Sequence, residues 1–397
     1  MKKSPIERLT ETHSQMEIWW DSSPLIYASW AEGFVKKASP DRAKDLKEAL
    51  LRLFDPEHPE KTLFRGVTTN PPLSLAVLKT HGSAWERVVD GLIEKNPCVD
   101  KESLFWLTYK EIVRQGAEMY RGLFEQSRYR YGYLSGQVDP RALYNKEKMI
   151  SQALELAGLG PNVMVKVPGT KEGYEVIRFL TSKGISTNNT LTFVLPQLMA
   201  CAHAVKEGLE VARQNGVDLT RWRSVITHMT ARYGDLGGLR TEGESLGLPL
   251  SEADVRWAEL AVFKKAYRLL KERGYPSKML ICSMRISPVM DGKKYCWHLE
   301  KLAGGNIVIT CPPTFIEAVF ESLEATEFRP QIEEEIPSSV LDRLLKLPYF
   351  ERAYREDGYS PDEFNTHPVL IKTRDEFSKA TEEMVGFVAK RLAAKCG

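Results

Sequence analysis

Short runs rich in Val, Ile, Thr and aromatic residues recur along the chain, with longer amphipathic stretches between them. The runs are EIWWDSS (17–23), LFRGVTTN (63–70), GYLSGQVD (132–139), NVMVKV (162–167), ISTNNTLTF (185–193), RSVITHM (223–229), KMLICSM (278–284) and NIVITC (306–311). Their length and β-branched content predict strands. Residues 72–95, 195–214 and 252–274 instead repeat apolar side chains at i, i+3 and i+4, which predicts helices. The last of these ends in Lys, Arg and Gly, as a helix C-terminus should.

Strands that alternate with helices predict an α/β fold with a parallel sheet. Eight such units predict a closed (β/α)8 TIM barrel, although counting alone leaves an open doubly wound sheet standing. No G-x-G-x-x-G follows the first strand, which weakens a dinucleotide-binding reading. The long gap between the second and third strands is predicted to hold two helices. QIEEEIPSSVLDRLL and TRDEFSKATEEMVGFVAKRLAAK predict helices appended after the last strand. The expected organisation is one barrel domain over residues 1–397. It would include an N-terminal segment of about residues 1–16 and a helical C-terminal extension of about 325–397. There is no internal repeat and no low-complexity segment.

The chain's 397 residues, 43% hydrophobic, suffice for a large core. A net charge of +2 without a basic stripe argues against a nucleic-acid partner, yet leaves room for a small anion held by paired arginines. Cys98, Cys201, Cys282, Cys296, Cys311 and Cys396 show no C-x-x-C spacing and read as reduced, mostly core thiols. The seven histidines have no metal-ligand grouping, so no metal site is expected. The N-terminus lacks a secretory apolar region, and no apolar run of membrane-spanning length occurs. A cytoplasmic protein with no membrane partner is the expectation. Nothing marks an exposed apolar face, so a homo-oligomer stays an open option.

The chemistry concentrates where strands end. Side chains alternate along a strand, so Val163, Val165 and Val167 share one face of NVMVKV while Met164 and Lys166 share the other. The valine face suits packing on outer helices, which turns Lys166 into the barrel near the carboxyl end of its strand. Desolvation there favours a neutral amine, which can attack a ketone and form a Schiff base. The resulting iminium is an electron sink for breaking the C3–C4 bond of a ketose. The strand alone speaks equally for a lysine that pairs with a carboxylate inside a polar lumen.

Other strand ends supply fitting groups. Asp21 follows three apolar residues and could transfer a proton beside an imine, or cap a helix. Asn70, before Pro71 and Pro72, could hold a substrate hydroxyl or open the next helix. Asn188 and Thr190 share a face of the fifth strand, where a threonine hydroxyl could position water. Arg232 and Arg285 follow the sixth and seventh strands, and together would clamp a phosphate. His228 should point away from Thr227 and Met229, and reads as a satisfied structural histidine.

GVTTNPPL, NVMVKVPGTKEGYEVI through GISTNNTLTF, and CSMR before ITCPP closely resemble the transaldolase family of Schiff-base barrel enzymes, in family order from about Trp19 to Pro313. The resemblance implies a (β/α)8 barrel with no cofactor and no metal. It implies transfer of a dihydroxyacetone unit between small-molecule sugar phosphates. It assigns Lys166 as the Schiff-base lysine and Asp21 as the proton-transfer acid. Asn70 and Asn188 would hold substrate hydroxyls, Thr190 would orient water, and Arg232 and Arg285 would bind the acceptor's phosphate. Thr227 stands where the family usually has serine, which keeps a hydroxyl.

Gln137 departs from the family pattern: it stands where ordinary transaldolases carry a glutamate that shuttles a proton through water. An amide does not titrate near neutral pH. Related Schiff-base aldolases with glutamine there recruit a tyrosine from the sixth strand, but Met229 occupies that place here. Asp235 also falls later than the family's acid usually does after its arginine. Transaldolase-type transfer is therefore the leading expectation. Aldol cleavage or addition without transfer is the alternative within the enzyme class. A sugar-phosphate binding protein on the same scaffold is the alternative outside it.

Overall fold

Residues 3–396 are described by the structure, a computed structural model; Met1, Lys2, Gly397 and the Cys396 side chain lie outside that description. All eight predicted strands form: β1 (Glu17–Trp20), β2 (Phe64–Thr68), β3 (Tyr133–Gln137), β4 (Val163–Pro168), β5 (Thr187–Thr190), β6 (Ser224–Met229), β7 (Lys278–Cys282) and β8 (Val308–Cys311). They close in the order β1-β8-β7-β6-β5-β4-β3-β2, a parallel (β/α)8 barrel. Thr187 registers with Ser224, Val225 with Lys278, Val308 with Leu280 and Gly66 with Tyr133. Almost every strand residue is buried, as expected of a parallel sheet covered on both faces.

The sequence reading undercounted the connection between β2 and β3. It holds four helices: Pro71–Thr80, Gly82–Lys95, Lys101–Glu118 and Arg121–Gln126. The apolar periodicity runs through His81, but the backbone does not: His81 sits at φ −123° and ψ 36°, and Gly82 restarts the helix. Asp100 caps the third helix by accepting from the Glu102 and Ser103 amides.

Two compact units share these elements. One comprises the chain up to Trp19, Tyr144–Lys146 and Lys166–Thr373. Its helix Leu195–Gln214 packs along Lys171–Ser182 and Glu252–Glu272. Gly208 allows the first of these contacts, since a Cβ there would lie 2.6 Å from the Arg178 carbonyl oxygen. After β8 and the helix Pro313–Ser322, the short helices Ser338–Leu344, Pro348–Tyr354 and Pro361–Phe364 lead into Pro368–Cys396. Within this unit the segment around Asn365 is tied to loops that follow strands. Lys171 pairs with Asp362 at 2.7 Å, and Tyr144 donates to the Asn365 carbonyl at 2.9 Å.

At the amino end of β1, Glu17 is buried between Arg223 (2.6 Å) and Lys278 (2.7 Å) and accepts from the Trp19 indole at 3.0 Å. Burial alone would raise its pKa; the two cations outweigh burial and hold the carboxyl below its usual range. The amino-terminal rim of such a barrel serves stability, and this ion triad sits there.

The second unit comprises Trp20–Leu143, Glu147–Val165 and the chain from Arg374 onward. Its core gathers Trp20, Tyr27, Phe54, Phe64 and Tyr120 in edge and stacked contacts. The last helix is fastened here by Arg391 to Asp90 at 2.5 Å and Lys79 to Glu383 at 2.8 Å. Cys201, Cys282, Cys296 and Cys311 are buried free thiols and Cys98 is an exposed one; the side chain of Cys396 lies outside the described residues. Among the described residues no helix is long and apolar enough to cross a membrane.

Candidate active site

Lys166 lies on β4, two residues before its end, and is only 5% exposed. Strand alternation sets it opposite Val165 and Val167, which are fully buried. Beyond it, Pro168 and Gly169 lead into the helix capped by Thr170, whose hydroxyl accepts from the Gly173 amide at 3.0 Å. Gly169 is required by space: a Cβ would lie 2.4 Å from Thr192 Cγ2. Gln197 locks this turn by donating to the Gly169 carbonyl at 2.8 Å and accepting from the Phe193 amide at 2.9 Å.

Asn188, Thr190 and Thr227 come together in the same unit. All three are buried. The Thr227 hydroxyl donates to Asn188 Oδ1 at 2.7 Å. That bond fixes the amide rotamer and directs the Asn188 NH2 as a donor. Thr190 Oγ1 lies 4.0 Å from Met229 Sδ, a weak contact that leaves the hydroxyl able to hold a water. Met229 thus ends β6 beside Thr190.

His228 is structural, as its position predicted. Nε2 lies 3.1 Å from the Phe193 carbonyl oxygen and Nδ1 lies 3.0 Å from the Thr230 hydroxyl. Burial pushes its pKa down to about 4, so it is neutral at physiological pH.

In the other unit, Asp21 follows β1, is half-buried and accepts from the Thr68 hydroxyl at 2.6 Å. It does not cap the following helical turn; Ser23 does that. Asn70 Oδ1 accepts from the Leu73 amide at 3.0 Å and caps the helix after β2. Its NH2 group is left to serve a substrate as a donor. Gln137 ends β3, 2% exposed, with its backbone N–H donating to the Tyr109 hydroxyl at 2.8 Å. Among the described residues its Oε1 has no hydrogen-bond partner. A buried, unsatisfied amide oxygen is a ready acceptor for water or a ligand hydroxyl. Tyr109 is no substitute acid: burial raises its pKa further above the phenol range.

Arg232 lies in the helix Thr230–Leu236 after β6, with Nη1 3.4 Å from the Thr373 hydroxyl. Arg285 follows β7, and its side chain is 46% exposed. Its Nε donates to Asp235 Oδ2 at 3.0 Å, and Nη1 donates to the carbonyls of Ser283 (3.2 Å) and Met284 (3.1 Å). Asp235 thus serves Arg285, and its other oxygen accepts from the buried Arg256 at 2.7 Å. The sequence reading singled out Asp235 only as a displaced partner for Arg232 and missed Arg256. The overlooked signal was an opposite-charge pair at i and i+3, Arg256 and Glu259, set inside an otherwise apolar helix stretch.

Residues 48–352 match the family model described as transaldolase/fructose-6-phosphate aldolase. The chain is 34% identical over 332 residues to a transaldolase of Mycolicibacterium smegmatis, covering 79% of this chain and 88% of that one. It is 29% identical over 284 residues to transaldolase 2 of Streptomyces avermitilis, covering 68% and 73%. A transaldolase of Saccharopolyspora erythraea is 30% identical over 259 residues, covering 62% and 69%. A closed barrel whose strand ends carry Lys166, Asn188 and Arg285 is thus matched over most of its length, and the chain belongs to the transaldolase/fructose-6-phosphate aldolase family of enzymes.

Proposed function

We propose that this enzyme transfers a dihydroxyacetone unit between sugar phosphates through a Schiff base on Lys166. The observation that carries the proposal is a lysine buried to 5% exposure near the carboxyl end of a barrel strand, in a chain of this family. A desolvated amine gives up its proton more readily, which frees the lone pair for attack on a ketose carbonyl. Water leaves as the imine forms, and the C3–C4 bond then breaks with its electrons drawn into the iminium. The departing aldehyde is replaced by an acceptor aldehyde, the new C–C bond forms, and hydrolysis releases the product.

In this scheme Asp21, oriented by Thr68, moves protons beside the imine. Asn70 and Asn188 present amide donors to substrate hydroxyls. Thr190 holds the water that forms and hydrolyses the imine. Thr227 orients Asn188. Arg232 and Arg285 bind the phosphate, in keeping with the preference of guanidinium for phosphate oxygens. Gln137 Oε1 accepts from the water or hydroxyl that a glutamate would deprotonate. The reading needs no cofactor, metal, nucleic acid or membrane, and residence in the cytoplasm is part of it.

Gln137 gives one specific reason to keep aldol cleavage without transfer as a second reading, because it alters the proton route. The test is borohydride reduction of the enzyme with fructose 6-phosphate. A reduced three-carbon or six-carbon adduct on Lys166, absent in Lys166→Ala, is expected. A folded enzyme that traps no adduct refutes the Schiff base. Heptulose phosphate formed in stoichiometry with erythrose 4-phosphate consumed supports transfer, whereas steady release of free dihydroxyacetone supports the aldolase.

A further inference from the structure

Arg285 stands at the head of a closed ring of polar side chains. Its backbone N–H donates to His298 Nδ1 at 3.0 Å. His298 Nε2 lies 2.8 Å from Glu259 Oε2. Glu259 Oε1 lies 3.0 Å from Arg256 Nη2, and the same Nη2 donates to Asp235 Oδ1 at 2.7 Å. Asp235 Oδ2 then accepts from Arg285 Nε at 3.0 Å and closes the ring. Arg256, Glu259 and His298 are essentially inaccessible to solvent.

The donor directions fix the His298 tautomer. A backbone amide can only donate, so His298 Nδ1 is bare and Nε2 carries the hydrogen. Glu259 Oε2 must therefore accept. Oε1 lies near the Arg256 guanidinium but has no hydrogen-bond partner among the described residues. Burial pushes the Glu259 pKa up, opposed first by Arg256, and burial together with Arg256 pushes that of His298 down. The ring thus sets two acidic side chains, Asp235 and Glu259, against two guanidinium groups and a neutral imidazole.

Removing water from such groups is costly, and Arg256 Nε and Nη1 are buried without partners among the described residues. What the ring achieves in return is to fix Arg285 from both sides. Asp235 holds the guanidinium, and His298 holds the backbone from which it springs. The Cys296 thiol donates to the Arg285 carbonyl at 3.2 Å. Ser283, two residues earlier, sits at φ +58°, a left-handed conformation unfavourable for serine that turns the chain toward Arg285. With Nε and Nη1 engaged, Nη2 remains to donate to a ligand.

We propose that Glu259, Arg256 and His298 are positioning residues for substrate phosphate, acting through Asp235 and Arg285 without touching substrate. This rests on the reading of Arg285 as a phosphate ligand. The experiment compares acceptor pairs that differ only in the phosphate, glyceraldehyde 3-phosphate and glyceraldehyde. Glu259→Gln replaces a ring carboxyl, remote from the ligand, with an amide. It is expected to lower the ratio of kcat/KM for the phosphorylated over the unphosphorylated acceptor by about tenfold, mainly through KM. In an Arg285→Ala background the same substitution is expected to change that ratio less than twofold.

An equal loss with both acceptors, or an undiminished tenfold effect without Arg285, overturns the proposal. If Arg285→Ala alone leaves the ratio unchanged, the phosphate reading of the site falls instead. Should the buried substitution fail to fold, Asp235→Asn, on a side chain that is 31% exposed, carries the same double-mutant comparison with the same outcomes.

Discussion

Replacing Gln137 with glutamate changes one NH2 for one oxygen and puts a titratable group where the resemblance implies one. The backbone bond to Tyr109 at 2.8 Å is untouched, so the side chain springs from a fixed point. At 2% exposure, with no partner for Oε1, the new carboxyl is desolvated, and its pKa rises toward neutrality. Each unit of rise costs about 1.4 kcal/mol of stability at pH values above it. The sign follows from linkage: a raised folded-state pKa gives no deficit below about pH 4 and a growing one as pH climbs through the new value. A placed acid–base group contributes roughly 10²–10⁴ in rate, and the amide already orients water, so a gain of about 10–100-fold in kcat is expected. Initial rates of transfer from fructose 6-phosphate to erythrose 4-phosphate between pH 5 and 9 measure it. Gln137→Glu should be faster, and its kcat should acquire an ionisation that the parent lacks. A folded variant with unchanged kcat and an unchanged pH profile would refute the reasoning, because Gln137 then takes no part in the proton path.

Two further predictions concern what holds the strands and the ring. Glu17→Gln strands Arg223 and Lys278 without their counter-charge and should cost about 3–5 kcal/mol, read as a lowered urea midpoint. Because the Glu17 pKa is depressed, the parent's advantage over this variant should be full above about pH 4.5 and vanish as pH falls through the folded value; a pH-independent gap would contradict the ion triad. Gly234→Ala places a Cβ 2.1 Å from Glu259 Oε1 and 2.6 Å from Val255 Cγ1, so it should cost about 1–3 kcal/mol and raise KM for phosphorylated acceptors. Unaltered melting would show that the helix Thr230–Leu236 shifts freely at this point.

The barrel was legible because most strands are short runs rich in β-branched or aromatic residues and the longer intervening helices keep a 3.6-residue period. The chemical groups were legible where they break a local rule: a lysine in a valine strand, or an acid after Ile-Trp-Trp. What the sequence hid lies in pairings between distant positions. Asp21 meets Thr68 across 47 residues, Arg285 meets Asp235 across 50, and His298 meets Glu259 across 39. Nothing local marks such pairs. Arg256 and Glu259 even mimic an exposed i,i+3 pair, although the helix Thr230–Leu236 packs against theirs and they are buried. The two-helix expectation between β2 and β3 failed for a related reason. Apolar periodicity reports which face is buried, and it persists across a break at His81 that only backbone angles reveal.

The choice between transfer and aldol release is kinetic, and the proton inventory bears on it. Once the C3–C4 bond has broken, the carbanion on the imine either attacks an aldehyde or is protonated and hydrolysed away. Release therefore needs an acid near that carbon, while transfer needs a proton for the alkoxide oxygen that forms as the carbanion adds to the aldehyde. On the proposed reading, the two positions that supply such acids elsewhere in the family are an amide, Gln137, and a thioether, Met229. Neither titrates in the physiological range. Met229 also lies against Thr190, whose hydroxyl positions the hydrolytic water in this scheme, and a thioether does little to activate it. On the proposed reading both substitutions deprive release of a titratable acid, and Gln137 also leaves that alkoxide without one. On the proposed reading the glutamine weighs on both outcomes, and the ratio of heptulose phosphate to free dihydroxyacetone in Gln137→Glu against the parent reads which of them it slows more.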